Sequence, residues 1–204
     1  MIRPILFNTE MVRAILGGRK TVTRRAIRPQ PEGKPILMAE NSCYPGCFGI
    51  GRTPMVIRPP CQPGDILWVR ETWAERPYGF VYKADGDEPE GWDHDDHWRP
   101  SIHMKKEAAR LFLRVIGVRA ERLQKISAKQ ARMEGQPRCN GGITVCGGPR
   151  SCGDCEADHE NAVLWFSDCW DSTIKSADRS LYGWRANPWV WVIEFERCEK
   201  PGGF

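Results

Sequence analysis

Apolar and polar positions change their period several times along this chain, and the changes divide it into elements. Ile5-Leu6-Phe7 is a short apolar run of strand type. The run Asn8 to Leu16 follows, with Thr9 as its N-capping residue, Glu10 in its first turn, and Met11, Val12, Ile15 and Leu16 at helical spacing. It closes on Gly17-Gly18, a pair able to adopt positive φ, so a helix is expected to end there and to place Lys20 in a tight corner. Beyond the corner Thr21 to Arg25 reads as a strand. Its period of two puts Thr21, Thr23 and Arg25 on one face and Val22 and Arg24 on the other.

Further along, Ile66-Leu67-Trp68-Val69 opens a strand-like stretch running to Trp73, with Glu71 on the parity of Leu67, Val69 and Trp73 and so expected to face inward. Phe80 to Ala84 is another short strand. Arg110 to Arg119 alternates as a central strand continuing toward Leu123, with Arg114 outward and Gly117 marking a bulge. Ser127 to Gly135 predicts a capped two-turn helix ended by a glycine. Glu134 stands at its C-terminal end, where a carboxylate opposes the helix dipole and must be solvated or held by a cation. Glu160 to Thr173, with Val163, Phe166 and Trp170 in step and Ile174 just beyond, predicts an amphipathic helix, and Trp189 to Phe195 a final strand.

The segment from Pro29 to Pro63 is rich in Pro and Gly and predicts an irregular excursion. The Gly- and Cys-rich stretch 136–158 is a second interruption. The chain of 204 residues, 41% hydrophobic with nine Trp, is therefore expected to be one domain with insertions at about 29–62 and 136–158. No apolar run reaches the roughly 20 residues needed to cross a bilayer, and no signal-peptide core follows Met1, so a cytoplasmic, non-membrane protein is expected.

The net charge of +4 changes little, but its distribution does. Arg13, Arg19, Lys20, Arg24, Arg25 and Arg28 crowd the start, a basic patch suited to an anionic or hydrogen-bonding ligand such as a nucleoside or RNA. A charged edge strand, protected against aggregation, is the competing explanation.

Gly18-Arg19-Lys20 followed by Arg25 fits a G-x-K-x-x-x-x-R signature, and on it the chain resembles the ASCH family, the activating signal cointegrator homology domains, which are small β-barrels similar to PUA RNA-binding domains. Pro63-Gly64-Asp65 before Ile66 resembles that family's turn into its next strand, and Trp189 to Phe195 its closing strand. The Arg3-to-Asn8 start, the Trp68-to-Trp73 block and Asn187-Pro188-Trp189 resemble prophage-type members. The resemblance implies an α+β fold, a PUA-like β-barrel with flanking helices and loop insertions.

Within the group, small bacterial members are amidohydrolases acting on N4-acetylcytidine with a Lys, Thr and Glu trio. These map onto Lys20, Thr23 and Glu134. The chemistry suits the residue types: a threonine hydroxyl needs a neighbouring base, a partly desolvated lysine can be one, and a carboxyl can orient it and protonate the departing amine. Such a trio needs no cofactor. Arg25 would face the cytosine carbonyl or an oxyanion, Glu71 would line the pocket, and Trp68 or Trp73 would stack on the base. The competing readings are a Lys20–Glu134 ion pair bracing the fold, a non-catalytic RNA-binding module, and a ribonuclease.

Nine cysteines is an odd number, which in a reducing compartment points to free thiols or metal ligands. Cys139, Cys146, Cys152 and Cys155, with a C-x-x-C pair at the end, are candidate ligands of a structural zinc, with His159 as an alternative fourth ligand. Cys43, Cys47 and Cys61 would form a second, incomplete set. His94, His97 and His103 carry no assignment.

Overall fold

The computed structural model describes residues 1–51, 53–86, 91–93, 96–137 and 156–203. The strands are β1 (Ile2–Leu6), β2 (Val22–Ala26), β3 (Pro35–Leu37), β4 (Phe48–Ile50), β5 (Thr53–Ile57), β6 (Ile66–Arg70), β7 (Trp73–Arg76), β8 (Gly79–Tyr82), β9 (Phe112–Arg122) and β10 (Trp189–Cys198). The α-helices are α1 (Thr9–Leu16), α2 (Ala128–Met133), α3 (Glu156–Thr173) and α4 (Arg179–Tyr182). The fold is mixed α+β.

Five strands form the central sheet in the order β1-β6-β9-β10-β2, with β1 and β6 parallel and the other pairs antiparallel. Its spine is the long β9–β10 ladder. Ile116 is bulged out of that ladder opposite Glu194/Phe195, beside Gly117, where the sequence placed an irregularity. The expected final strand β10 is therefore central instead of closing, flanked by β9 and β2. The edge strands are β1 and β2, which share no main-chain ladder, so no closed barrel is found among the described residues. Arg25 spans the gap between them by donating from Nη2 to the Leu6 carbonyl at 2.9 Å.

Alternation along β10 supplies two cores. Trp191, Ile193 and Phe195 join Ile5, Phe7, Val12, Ile15, Leu113 and Val115 between the sheet and α1. Val190 and Val192 face the opposite way and join Val22, Leu123, Ala131, Ala162, Phe166 and Trp170, against α2 and α3. Each such apolar side chain contributes about 1.5–3 kcal/mol on burial, which is why both faces of this sheet carry helices.

Four local expectations change. The N-cap of α1 is Asn8, whose side chain accepts the Met11 N–H at 2.9 Å, and not Thr9. Of the glycine pair only Gly18 has positive φ (69°), Gly17 staying at −79°. The 29–62 excursion is not irregular throughout: β3, β4 and β5 form a small antiparallel sheet. Its turns use Gly46 and Gly51 at positive φ, and buried Phe48 packs edge-on against Trp191 with centroids 4.9 Å apart, so two aromatic anchors hold strands too short to be read from period alone. The predicted Trp68–Trp73 strand also breaks after Arg70, and β7 turns away to pair with β8. Among the described residues no helix is long and apolar enough to cross a membrane.

Candidate active site

The corner after α1 is built by its own hydrogen bonds. Gly17 N–H donates to Arg13 O, and the Arg19 and Lys20 N–H groups both donate to Ala14 O, at 2.8 and 3.1 Å. The chain thus wraps tightly over the helix end and sends the Lys20 side chain inward, where the residue is 4% exposed. From the other direction, α2 begins in a capping box between Ser127 and Gln130 and stops at Glu134. Gly135 follows at φ +108°; a Cβ there would lie 2.8 Å from the Ala14 Cβ and 3.3 Å from the Lys20 Cβ, so glycine lets the end of α2 press against the corner.

Glu134 is also 4% exposed, and its carboxylate is held by two cations. Lys20 Nζ donates to Oε2 at 2.7 Å, and Arg24 Nη1 to Oε1 at 2.9 Å. Nζ further donates to the carbonyls of Glu134 at 2.8 Å and Val22 at 2.9 Å, so its three hydrogens are committed. Arg24 Nη2 reaches Gln130 Oε1 at 3.1 Å, and its guanidinium stands over the Phe166 ring. The misfit read at Glu134 is resolved by cations, as required for a carboxylate at a buried helix C-terminus.

Thr23 lies in β2, 1% exposed. Its Oγ1 accepts from Arg25 Nη1 at 3.1 Å and makes no hydrogen bond with Lys20. Arg25 stacks over Phe7, 5.3 Å from the ring centroid. Lys20, Thr23, Arg24, Arg25 and Glu134 all line one cavity of about 90 Å³. Its apolar wall comes from Phe7 and Met11 on one side and Trp165, Phe166 and Trp170 of α3 on the other.

Three cations against one carboxylate leave the lining of this cavity with surplus positive charge, an arrangement that favours an electron-rich oxygen or a developing oxyanion. Burial pushes the Lys20 amine below its ordinary 10.5, against the pull of the Glu134 carboxylate. Cys169 also lines the cavity, but burial pushes its thiol up, away from the reactive thiolate.

Four of the expected residues, Lys20, Thr23, Arg25 and Glu134, are therefore brought together, and three are not. Glu71 is buried elsewhere, accepting from Arg110 Nε at 2.9 Å and Nη2 at 3.0 Å, with Arg110 also paired to Asp85 and stacked on Tyr82. Trp73 is fully buried against Phe80, Met104 and Ala108. Trp68 lies in β6 beneath the Arg70 guanidinium. The aromatic wall of the cavity comes instead from Phe7 and α3.

Arg24 is the residue the sequence reading missed. Strand parity set it on the face away from Thr23, yet β2 is an edge strand, and a cavity at a free edge receives side chains from both faces. Its signal is the carboxylate at Glu134, which must be solvated or held by a cation and which a second cation beside Lys20 can also hold. The aromatics of α3 were legible as an apolar stripe but not as a pocket wall.

Cys139, Cys146, Cys152 and Cys155 lie outside the described residues, as does His94. Cys43 is exposed and Cys47 and Cys61 are buried, all with free thiols, and among the described residues no group of three His, Cys, Asp or Glu could hold a metal ion. No protein-family model, curated protein or solved structure matches the chain.

Proposed function

We propose that this chain is an ASCH-type, PUA-like protein, its edge strands β1 and β2 bridged by Arg25, and that the Lys20–Thr23–Glu134 cavity hydrolyses the exocyclic amide of N4-acetylcytidine-type substrates. The observation that carries the reading is the meeting of Lys20 and Glu134, 114 residues apart, in a buried cavity that also holds the Thr23 hydroxyl and two guanidiniums. A pair that served only to brace the fold would need neither the hydroxyl nor an open cavity beside it.

In the proposed cycle one Nζ proton crosses the 2.7 Å to Glu134 Oε2. The freed amine takes the Thr23 hydroxyl proton as Oγ1 bonds to the acyl carbon, and the carbonyl oxygen gathers charge toward Arg24 and Arg25. Glu134 then gives its proton to N4 as the C–N bond breaks, and cytidine leaves. Water cleaves the threonyl ester to acetate and restores the hydroxyl. The Lys20 amine must swing from its present partners toward Thr23 for the second step.

One observation favours a second reading, a pocket that binds without turnover: all three Lys20 hydrogens are committed to Val22 and Glu134 and none to Thr23. Incubation with N4-acetylcytidine and, separately, with a short RNA separates the two. Release of cytidine and acetate in equal amounts is expected. Binding without product would leave the non-catalytic reading, and shortened RNA would replace both with a ribonuclease.

A further inference from the structure

A second cavity, of about 470 Å³, opens along the seam between the edge strands β1 and β2. Four arginines surround it, Arg3 from β1, Arg25 from β2, and Arg28 and Arg58 from the segments beyond, and no acidic residue lines it. Arg3 lies 3.5 Å from Asp65 and Arg28 lies 3.3 Å from Asp178, neither aspartate lining the cavity and both arginine side chains about half exposed. Arg25 and Arg58 form no ion pair among the described residues. The floor is apolar, with Leu67 and Trp191. Cys61 also lines it, but burial pushes that thiol up to about 11, so the cavity holds no thiolate near neutral pH.

Guanidiniums around a cavity whose lining has no carboxylate suit bidentate recognition of phosphate, and a volume within the range of small-molecule sites exceeds what a bare ion requires. Arg25 also lines the Lys20 cavity, so its side chain borders both. We infer that the seam between β1 and β2 is a phosphate-ester subsite for the molecule whose base enters the Lys20 cavity, a phosphorylated cytidine in preference to the free nucleoside. The inference rests on the proposed substrate, and deepens it.

The test uses ligands without an acyl group, so it stands apart from hydrolysis. The full chain and its Arg28→Gln/Arg58→Gln variant, altered at partly exposed positions and checked by melting temperature, are titrated with cytidine, cytidine 5′-phosphate, cytidine 3′-phosphate and a short cytidine-containing RNA. Charge-assisted hydrogen bonds predict that at least one phosphorylated ligand binds about tenfold to a hundredfold tighter than cytidine. That ratio should fall toward one in the variant, and Arg3→Gln should lower it part of the way. A gain with a mononucleotide identifies a terminal phosphate as sufficient, and a gain with RNA alone identifies the internal diester. Equal binding of cytidine and all phosphorylated ligands, or a gain the variant retains, overturns the inference even if N4-acetylcytidine is hydrolysed. An arginine-dependent gain without hydrolysis keeps the subsite and removes the proposed reaction.

Discussion

Lys20 and Glu134 are joined twice: the Lys20 ammonium donates to the Glu134 carboxylate at 2.7 Å and to its main-chain carbonyl at 2.8 Å, while their backbones form an isolated antiparallel bridge. One lysine thus fixes both the charge and the position of the residue that caps the end of α2. Because Arg24 holds the other carboxylate oxygen, removing either member of the pair has unequal consequences.

Glu134→Gln should cost more stability than Lys20→Met. The first leaves two buried cations facing each other, whereas the second leaves Glu134 neutralised by Arg24. Breaking a buried pair costs about 3–5 kcal/mol, and at this chain length each kcal/mol shifts the melting temperature by about 2–4 °C. Both variants should lose turnover of N4-acetylcytidine by about 10²-fold or more. Thermal melts beside initial rates check this; equal melting temperatures for the two variants would show that Arg24 does not share the carboxylate.

Thr23→Val tests the nucleophile. It keeps shape, removes the hydroxyl and frees one Arg25 N–H, so hydrolysis should vanish while ligand affinity stays within several-fold, a neutral hydrogen bond being worth about 0.5–1.5 kcal/mol. Near-wild-type rates would transfer the attack to a water activated by the Lys20–Glu134 pair.

The pH dependence follows from Lys20, whose amine burial lowers below 10.5. The native state then binds fewer protons than the unfolded chain between the two values, so this group's contribution to stability is complete above 10.5 and is lost as pH falls through the folded value. Turnover responds in the opposite sense. The proposed cycle needs one proton shared by Lys20 and Glu134, so kcat should fall as pH rises through the lowered Lys20 value. A rate profile with its alkaline midpoint at or above 10.5 would count against Lys20 as the carrier.

Gly135→Ala should lower both melting temperature and rate, since its Cβ would meet the Ala14 and Lys20 Cβ atoms and push Glu134 away from the corner. Gly18→Ala meets nothing within 4 Å and should cost only the left-handed strain, about 1–2 kcal/mol. If kcat per folded molecule falls no further for Gly135→Ala than for Gly18→Ala, the contact does not position the acid.

Glu71→Gln serves as the contrast. Burial raises its carboxyl while two hydrogen bonds from Arg110 oppose that, and it does not line the Lys20 cavity. It should lose about 1.5–3 kcal/mol of stability and leave KM for N4-acetylcytidine within about twofold, as read from melts and steady-state rates. A tenfold rise in KM would return Glu71 to the substrate site.

What the sequence determined by itself is what local chemistry dictates. The glycine that ends α1, the capped helix after Ser127 with glycine at its end, and a Glu134 carboxylate that must be solvated or held by a cation are short-range consequences of side-chain type and spacing, and each is present in the fold. Tertiary structure decided everything that depends on which elements meet. Arg24 joined the site because β2 lies at a sheet edge and exposes both its faces to one cavity, a property of strand order that no period reveals. Glu71 and Trp73 left it because the chain turns after Arg70 into a separate hairpin and buries them there. The short strands β3 to β5 exist because Phe48 finds Trp191 across more than a hundred residues, and a contact so distant in sequence leaves no local pattern by which to read it.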